Sequence, residues 1–104
     1  MARVRWSSVA FRQVNDILAE LGELSSSAAA RLANRVGVAV ILLAEYPSLG
    51  RVVSAFRHRA VRELFVEKYR LVYRLEGDDV IILSVIHGSR DLLRHLPDGP
   101  WDIE

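Results

Sequence analysis

The residue types in this chain best suited to chemistry are three histidines, His58, His87 and His95, a serine between His87 and Asp91, and arginines concentrated in the second half. The histidines show no metal-ligand spacing and there is no cysteine, so neither a metal centre nor a disulfide scaffold is expected, nor any cofactor. His87, Ser89 and Asp91 supply the groups of a hydrolytic relay. Residues so close in one turn can hardly point at each other in series, however, and no triad is expected from them. His87 closes an apolar run, a position where a histidine more often ties off a strand than serves as a base. The six glycines are dispersed and form no phosphate-cradling loop. From Tyr46 to Arg62 there is no acid, and the stretch carries Arg51, Arg57, His58, Arg59 and Arg62. Such a cluster suits a phosphate backbone or an acidic protein surface, and equally a solvated loop.

Secondary structure must position these groups. RVRW, Arg3 to Trp6, alternates and reads as a short first strand. Ser7 and Ser8 can cap a helix in which Ala10, Val14, Ile17, Leu21 and Leu24 recur every three or four residues. A second helix is expected from after the Ser25-Ser26-Ser27 triplet to Glu45, because Tyr46 precedes Pro47 and is biased away from helical geometry. Tyr46 to Ala60 reads as a loop. Three strands follow, Val61 to Val66, Tyr69 to Glu76 and Asp79 to His87, joined by tight turns at Glu67-Lys68 and Gly77-Asp78. DLLRHL, Asp91 to Leu96, can form one or two helical turns. The order is β-α-α-β-β-β, an α+β fold with a helical hairpin packed on a small, mainly antiparallel sheet.

Alternation in KYRLVYRL, Lys68 to Leu75, puts Tyr69, Leu71, Tyr73 and Leu75 on one side and Lys68, Arg70, Val72 and Arg74 on the other. With two-residue turns, Leu64 faces Leu71, Arg62 faces Tyr73, Tyr73 faces Ile82 and Leu75 faces Val80 beneath the helices. The opposite side pairs Phe65 with Arg70, Val72 with Leu83, Arg74 with Ile81 and Lys68 with His87. An exposed face holding Phe65, Val72, Ile81, Leu83 and Val85 among basic groups has the texture of a binding surface. Arg62 lies on the helix side, where it can pair with an acid or with carbonyls.

At 104 residues, 51% of them hydrophobic and 26% charged, the chain is expected to form one globular domain, residues 1–104. Fourteen basic against thirteen acidic residues leave a net charge of +1, so any attraction to a polyanion must come from local clusters. The N-terminus lacks the apolar core of a secretory signal. The longest apolar run, Val36 to Ala44, is less than half the roughly 20 residues of a membrane span. A soluble, cytoplasmic protein with no membrane partner is expected.

YPSLGR (Tyr46 to Arg51), RELFV (Arg62 to Val66), YRLVYRL (Tyr69 to Leu75) and DVIILSVIHGSRD (Asp79 to Asp91), behind a helix pair, together resemble the ParE/RelE superfamily of type II toxin–antitoxin toxins. The resemblance spans roughly residues 3 to 96 and implies the RelE/ParE-like fold. It also implies one of two activities: poisoning of DNA gyrase, as in ParE-like members, or ribosome-dependent mRNA cleavage, as in RelE-like members. Cleavage through a 2′-hydroxyl needs a proton acceptor, a cation at the phosphate and an acid for the leaving oxygen. Arg62, Arg70 and Arg90 are the candidate cations and His87 the candidate proton shuttle. The outward positions Val61, Glu63 and Phe65 hold no lysine, where RelE-like nucleases tend to present them, and no tyrosine follows Arg90. HGSRD looks more like the ParE branch.

The expectation is therefore a ParE-like toxin that is not an enzyme, with gyrase as target and a ParD-like antitoxin as its neutralising partner. Sequence-specific nucleic-acid binding by the toxin alone is not expected; a homodimer within the toxin–antitoxin complex is compatible with it. The expected partner surface comprises Phe65, Arg70, Arg74, Leu83, His87 and Arg90. The tail Asp98 to Glu104, acidic and bearing Trp101, departs from the family pattern.

Overall fold

The structure is a computed structural model that describes residues 1–53 and 60–90. In chain order the elements are β1 (Arg3–Trp6), α1 (Ser8–Leu24), α2 (Ser26–Glu45), β2 (Arg51–Val52), β3 (Val61–Val66), β4 (Tyr69–Glu76) and β5 (Asp79–His87). They form one five-stranded sheet in the order β1-β5-β4-β3-β2, antiparallel except for the parallel pair β1 and β5. This is the α+β architecture expected, with β2 added at an edge; two residues are too few to show periodicity. The expected helical turns in Asp91 to Leu96, the tail with Trp101, and Arg57, His58, Arg59 and His95 lie outside the described residues.

Two serines set the helical hairpin. Ser7 caps α1 by accepting from the Ala10 amide at 3.0 Å, while its own hydroxyl donates to the Leu83 carbonyl at 3.0 Å. Ser25 closes α1 through its amide, which donates to Leu21 O at 2.8 Å, and its hydroxyl accepts from Ala28 N at 3.1 Å to open α2. One residue thus satisfies orphan groups at both helix ends. The helix-side core gathers Ala10 and Val14 of α1 and Leu32, Val36, Ala39 and Leu43 of α2 over Val66, Leu71, Tyr73, Val80, Ile82 and Val85. By length and composition α2 could cross a membrane, with a mean hydropathy of 1.4. Its buried stripe instead lies on the sheet, and Arg31 and Arg35 both reach the Glu67 carboxylate, at 3.1 and 3.3 Å.

Glu67 occupies the left-handed region, φ 54°, in the β3–β4 turn, where a non-glycine residue is strained. Gly77 takes the equivalent position, φ 57°, in the β4–β5 turn. Between β3 and β4 the register is the one read from sequence: Arg62 opposite Tyr73, Leu64 opposite Leu71, Phe65 opposite Arg70. Between β4 and β5 it holds only to Tyr73, which faces Ile82. Val72 then faces Ser84, because Leu83 is an extra residue inserted as a β-bulge. Val72 therefore does not lie beside Leu83, Val85 turns to the helix side, and His87 faces Tyr69, with Lys68 in the turn.

The bulge has a lock. Gln13 Oε1 on α1 accepts from the Val85 amide at 2.8 Å, a group that the broken ladder would orphan, and from the buried Ser84 hydroxyl at 2.9 Å.

Candidate functional site

The face of the sheet away from the helices is not the open apolar and cationic surface that alternation suggested. Val53, Val61, Val72, Ile81, Leu83 and Ile86 form a second buried cluster there, to which α1 and α2 contribute no residue. Leu83 is 1% exposed and cannot serve as a contact residue in this conformation. Among the described residues, Phe65 is a large apolar side chain that this face leaves 51% exposed, and the Arg70 guanidinium sits 5.7 Å from its ring centroid.

The charge organiser on this face is Glu63, 6% exposed. Its carboxylate meets Arg51 Nε at 3.0 Å and Arg70 Nε at 3.4 Å, and Arg74 pairs with Glu76. Glu63 lies opposite Val72, so the diagonal positions on β4 are Arg70 and Arg74. That diagonal was legible in the sequence and is the signal by which Glu63 could have been found.

Arg62 projects to the helix side and donates from Nη1 to the carbonyls of Gly50 at 2.8 Å and Ser48 at 3.3 Å. The Tyr73 hydroxyl, buried below, accepts from the Gly50 amide at 2.7 Å. Burial pushes the Tyr73 hydroxyl above its ordinary value, against the opposing influence of the Gly50 N–H and of Arg62. Gly50 admits no side chain, since a Cβ would lie 2.5 Å from Glu63 O and 2.8 Å from the Tyr73 ring. Arg62 and Tyr73 thus brace the loop that delivers Arg51 to Glu63.

His87 and Arg90 stand apart from Arg70. The bulge puts His87 on the helix side, in edge-to-face contact with Tyr69, ring centroids 5.8 Å apart. Its Nδ1 accepts from the Ser89 amide at 3.2 Å and contacts the Ser89 hydroxyl at 2.8 Å. An Nδ1 that accepts from an N–H leaves the proton of the neutral ring on Nε2. Serine and histidine two residues apart therefore meet as a turn-closing pair; Asp91 lies outside the described residues. Gly88 allows the turn, because a Cβ there would sit 2.9 Å from the Phe65 ring and 3.1 Å from Lys68 O.

His87 and Arg90 line a cleft of about 440 Å³ between α1 and the ends of β4 and β5. Its other wall is Asp16 and Glu20 of α1. Of the expected partner residues, the structure thus keeps Phe65, Arg70 and Arg74 on one face, buries Leu83, and places His87 and Arg90 in a cleft on the other. No cluster of three or more metal-ligating side chains occurs among the described residues.

Residues 4–92 match the model of the family described as ParE toxin of type II toxin–antitoxin system, parDE. The chain is 40% identical to the Sinorhizobium fredii protein Y4kP over 90 residues, covering 85% of this chain and 90% of that one. It is 35% identical over 91 residues to toxin RelE2 of Caulobacter vibrioides, 86% of this chain and 99% of that one. Toxin ParE3 of the same organism is 36% identical over 63 residues, 61% and 62% of the two chains. Among solved structures, a chain of a chromosomal ParDE TA system from P. aeruginosa superposes with a TM-score of 0.70 at 20% identity, covering 84% of this chain and 96% of that chain.

Proposed function

The chain belongs to the ParE toxin family of type II toxin–antitoxin systems, and from that premise we propose that it acts by binding, with DNA gyrase as target and a ParD-like antitoxin as the partner that neutralises it. The observation that carries the non-catalytic reading is that two of the cations a ribonuclease would need, Arg62 and Arg70, lie away from the cleft that His87 shares with Arg90. Arg62 is spent on the Ser48 and Gly50 carbonyls, Arg70 on Glu63, and His87 lies on the opposite face of the sheet from Arg70 with Nδ1 engaged in its own turn. Concerted proton transfer and phosphate stabilisation require such groups within hydrogen-bond reach of one substrate. Binding requires only shape, apolar contact and charge, which Phe65, Arg51 and Arg70 offer on one face and the cleft at His87 offers on the other.

A ribosome-dependent ribonuclease is the second reading, favoured by the 35% identity to toxin RelE2 along almost the whole of that chain. Two assays on the purified protein separate them. A gyrase poison inhibits supercoiling of a relaxed plasmid and leaves ribosome-bound mRNA intact. Cleavage of that mRNA, lost on Arg70→Ala or His87→Ala, with unimpaired supercoiling, would overturn the proposal.

A further inference from the structure

We propose that the cleft between α1 and the ends of β4 and β5 is the docking site for an antitoxin segment that presents an apolar side chain flanked by charges of both signs. The inference rests on the reading above that an antitoxin neutralises this chain, and adds where and by what chemistry it is held.

The cleft carries charge that the fold does not use. Asp16 and Glu20, one helical turn apart on α1, form one wall. Lys68 of the β3–β4 turn and Arg90 beyond β5 form the other. Among the described residues no ion pair engages any of these four. On the sheet and its turns, by contrast, several charges of the described residues are paired: Glu63 with Arg51 and Arg70, Glu67 with Arg31 and Arg35, Asp79 with Arg3 and Arg5. Opposite charges held apart across one cleft, unspent, describe a site complementary to a partner with the reverse pattern.

Between the walls the lining is apolar, with Ile17 and Leu21 on the helix side and Tyr69 and Val85 on the sheet side. Leu24, at the rim, is 86% exposed. The volume of 440 Å³ lies in the range of natural ligand clefts and admits a large anchoring side chain. A nucleic-acid backbone fits poorly, since every phosphate drawn to Lys68 and Arg90 would also face Asp16 and Glu20. A protein segment satisfies both walls, with its acids toward Lys68 and Arg90 and its bases toward Asp16 and Glu20.

The test uses the full chain and the ParD-like antitoxin encoded with it. The dissociation constant of the wild-type complex is compared with those of Asp16→Lys/Glu20→Lys, of Lys68→Glu, and of Val38→Asp on the exposed outer face of α2, each checked for native circular dichroism. Either cleft change is expected to weaken binding on the order of tenfold or more, and Val38→Asp to leave it within about twofold. A photo-crosslinking residue at Leu24 is expected to capture the antitoxin, and one at Ile41 is not. Undiminished affinity in both cleft variants, or capture from Ile41 alone, would overturn the inference and leave the toxin reading standing. Failure of the wild-type chain to bind the antitoxin at all would overturn both. A single-stranded RNA oligonucleotide bound more tightly by Asp16→Lys/Glu20→Lys and released by Lys68→Glu would assign the cleft to a polyanion instead.

Discussion

Gln13→Leu is the change that most directly probes how the sheet places His87. A leucine of similar size loses the oxygen that accepts from Val85 N and the Ser84 hydroxyl. Val85 is 4% and Ser84 0% exposed, so neither group can turn to water without opening the sheet. An orphaned buried amide costs about 1–3 kcal/mol, and the lost hydroxyl contact about 1 kcal/mol more. For a domain near 100 residues each kcal/mol lowers the melting temperature by about 4–8 °C, so a loss of 2 kcal/mol or more corresponds to a fall of about 8 °C or greater. Gln13→Glu retains acceptor oxygens and is expected to lose less. The bulge also sets side-chain parity from Val85 onward, and a slip of one residue would carry His87 to the Phe65 face. Urea denaturation gives the stability, and the nuclear Overhauser contact between the His87 and Tyr69 rings reports the parity. A leucine variant within about 0.5 kcal/mol of wild type, the typical range of neutral surface substitutions, would refute the lock.

Further substitutions probe the remaining devices. Tyr73→Phe leaves the Gly50 amide without its acceptor and is expected to cost about 1–3 kcal/mol. Because the folded-state value of Tyr73 is raised above 10.0, wild type is expected to hold its stability below that pH and lose it as pH rises through the folded value; the phenylalanine variant, followed by thermal melts from neutral to alkaline pH, should show a shallower decline. An equally steep decline in both proteins would refute that assignment. Glu63→Gln removes the shared counter-charge of Arg51 and Arg70 and is expected to cost about 1–3 kcal/mol. Arg51→Ala, from a side chain 71% exposed, is expected to cost less than about 1 kcal/mol, and urea midpoints of equal size for the two would refute the central place of Glu63. Glu67→Gly and Glu67→Ala both lose the ion pairs to Arg31 and Arg35, but only glycine relieves the positive φ. The glycine variant should be the more stable by about 1 kcal/mol, and indistinguishable melting curves would show that the turn is not strained.

The amino-acid sequence by itself determined the described elements other than β2 and much of their pairing. Apolar residues every three or four positions specified α1 and α2, serines marked their starts, and Glu67-Lys68 and Gly77-Asp78 set hairpins whose registers hold over all of β3 and half of β4. Arg62 could be placed on the helix side by parity alone. Only the tertiary structure decided which face the end of β5 presents. The run from Val80 to Ile86 is buried throughout, so it has no polar and apolar alternation in which an extra residue would leave a mark. The bulge is held by Gln13, 72 positions away in sequence from Val85, and nothing local to the strand announces it. The same long-range packing buried Leu83, brought Arg51 to Glu63, and set Asp16 and Glu20 across a cleft from Lys68 and Arg90. Periodicity is a property of neighbours along the chain, whereas a site is a property of neighbours in space.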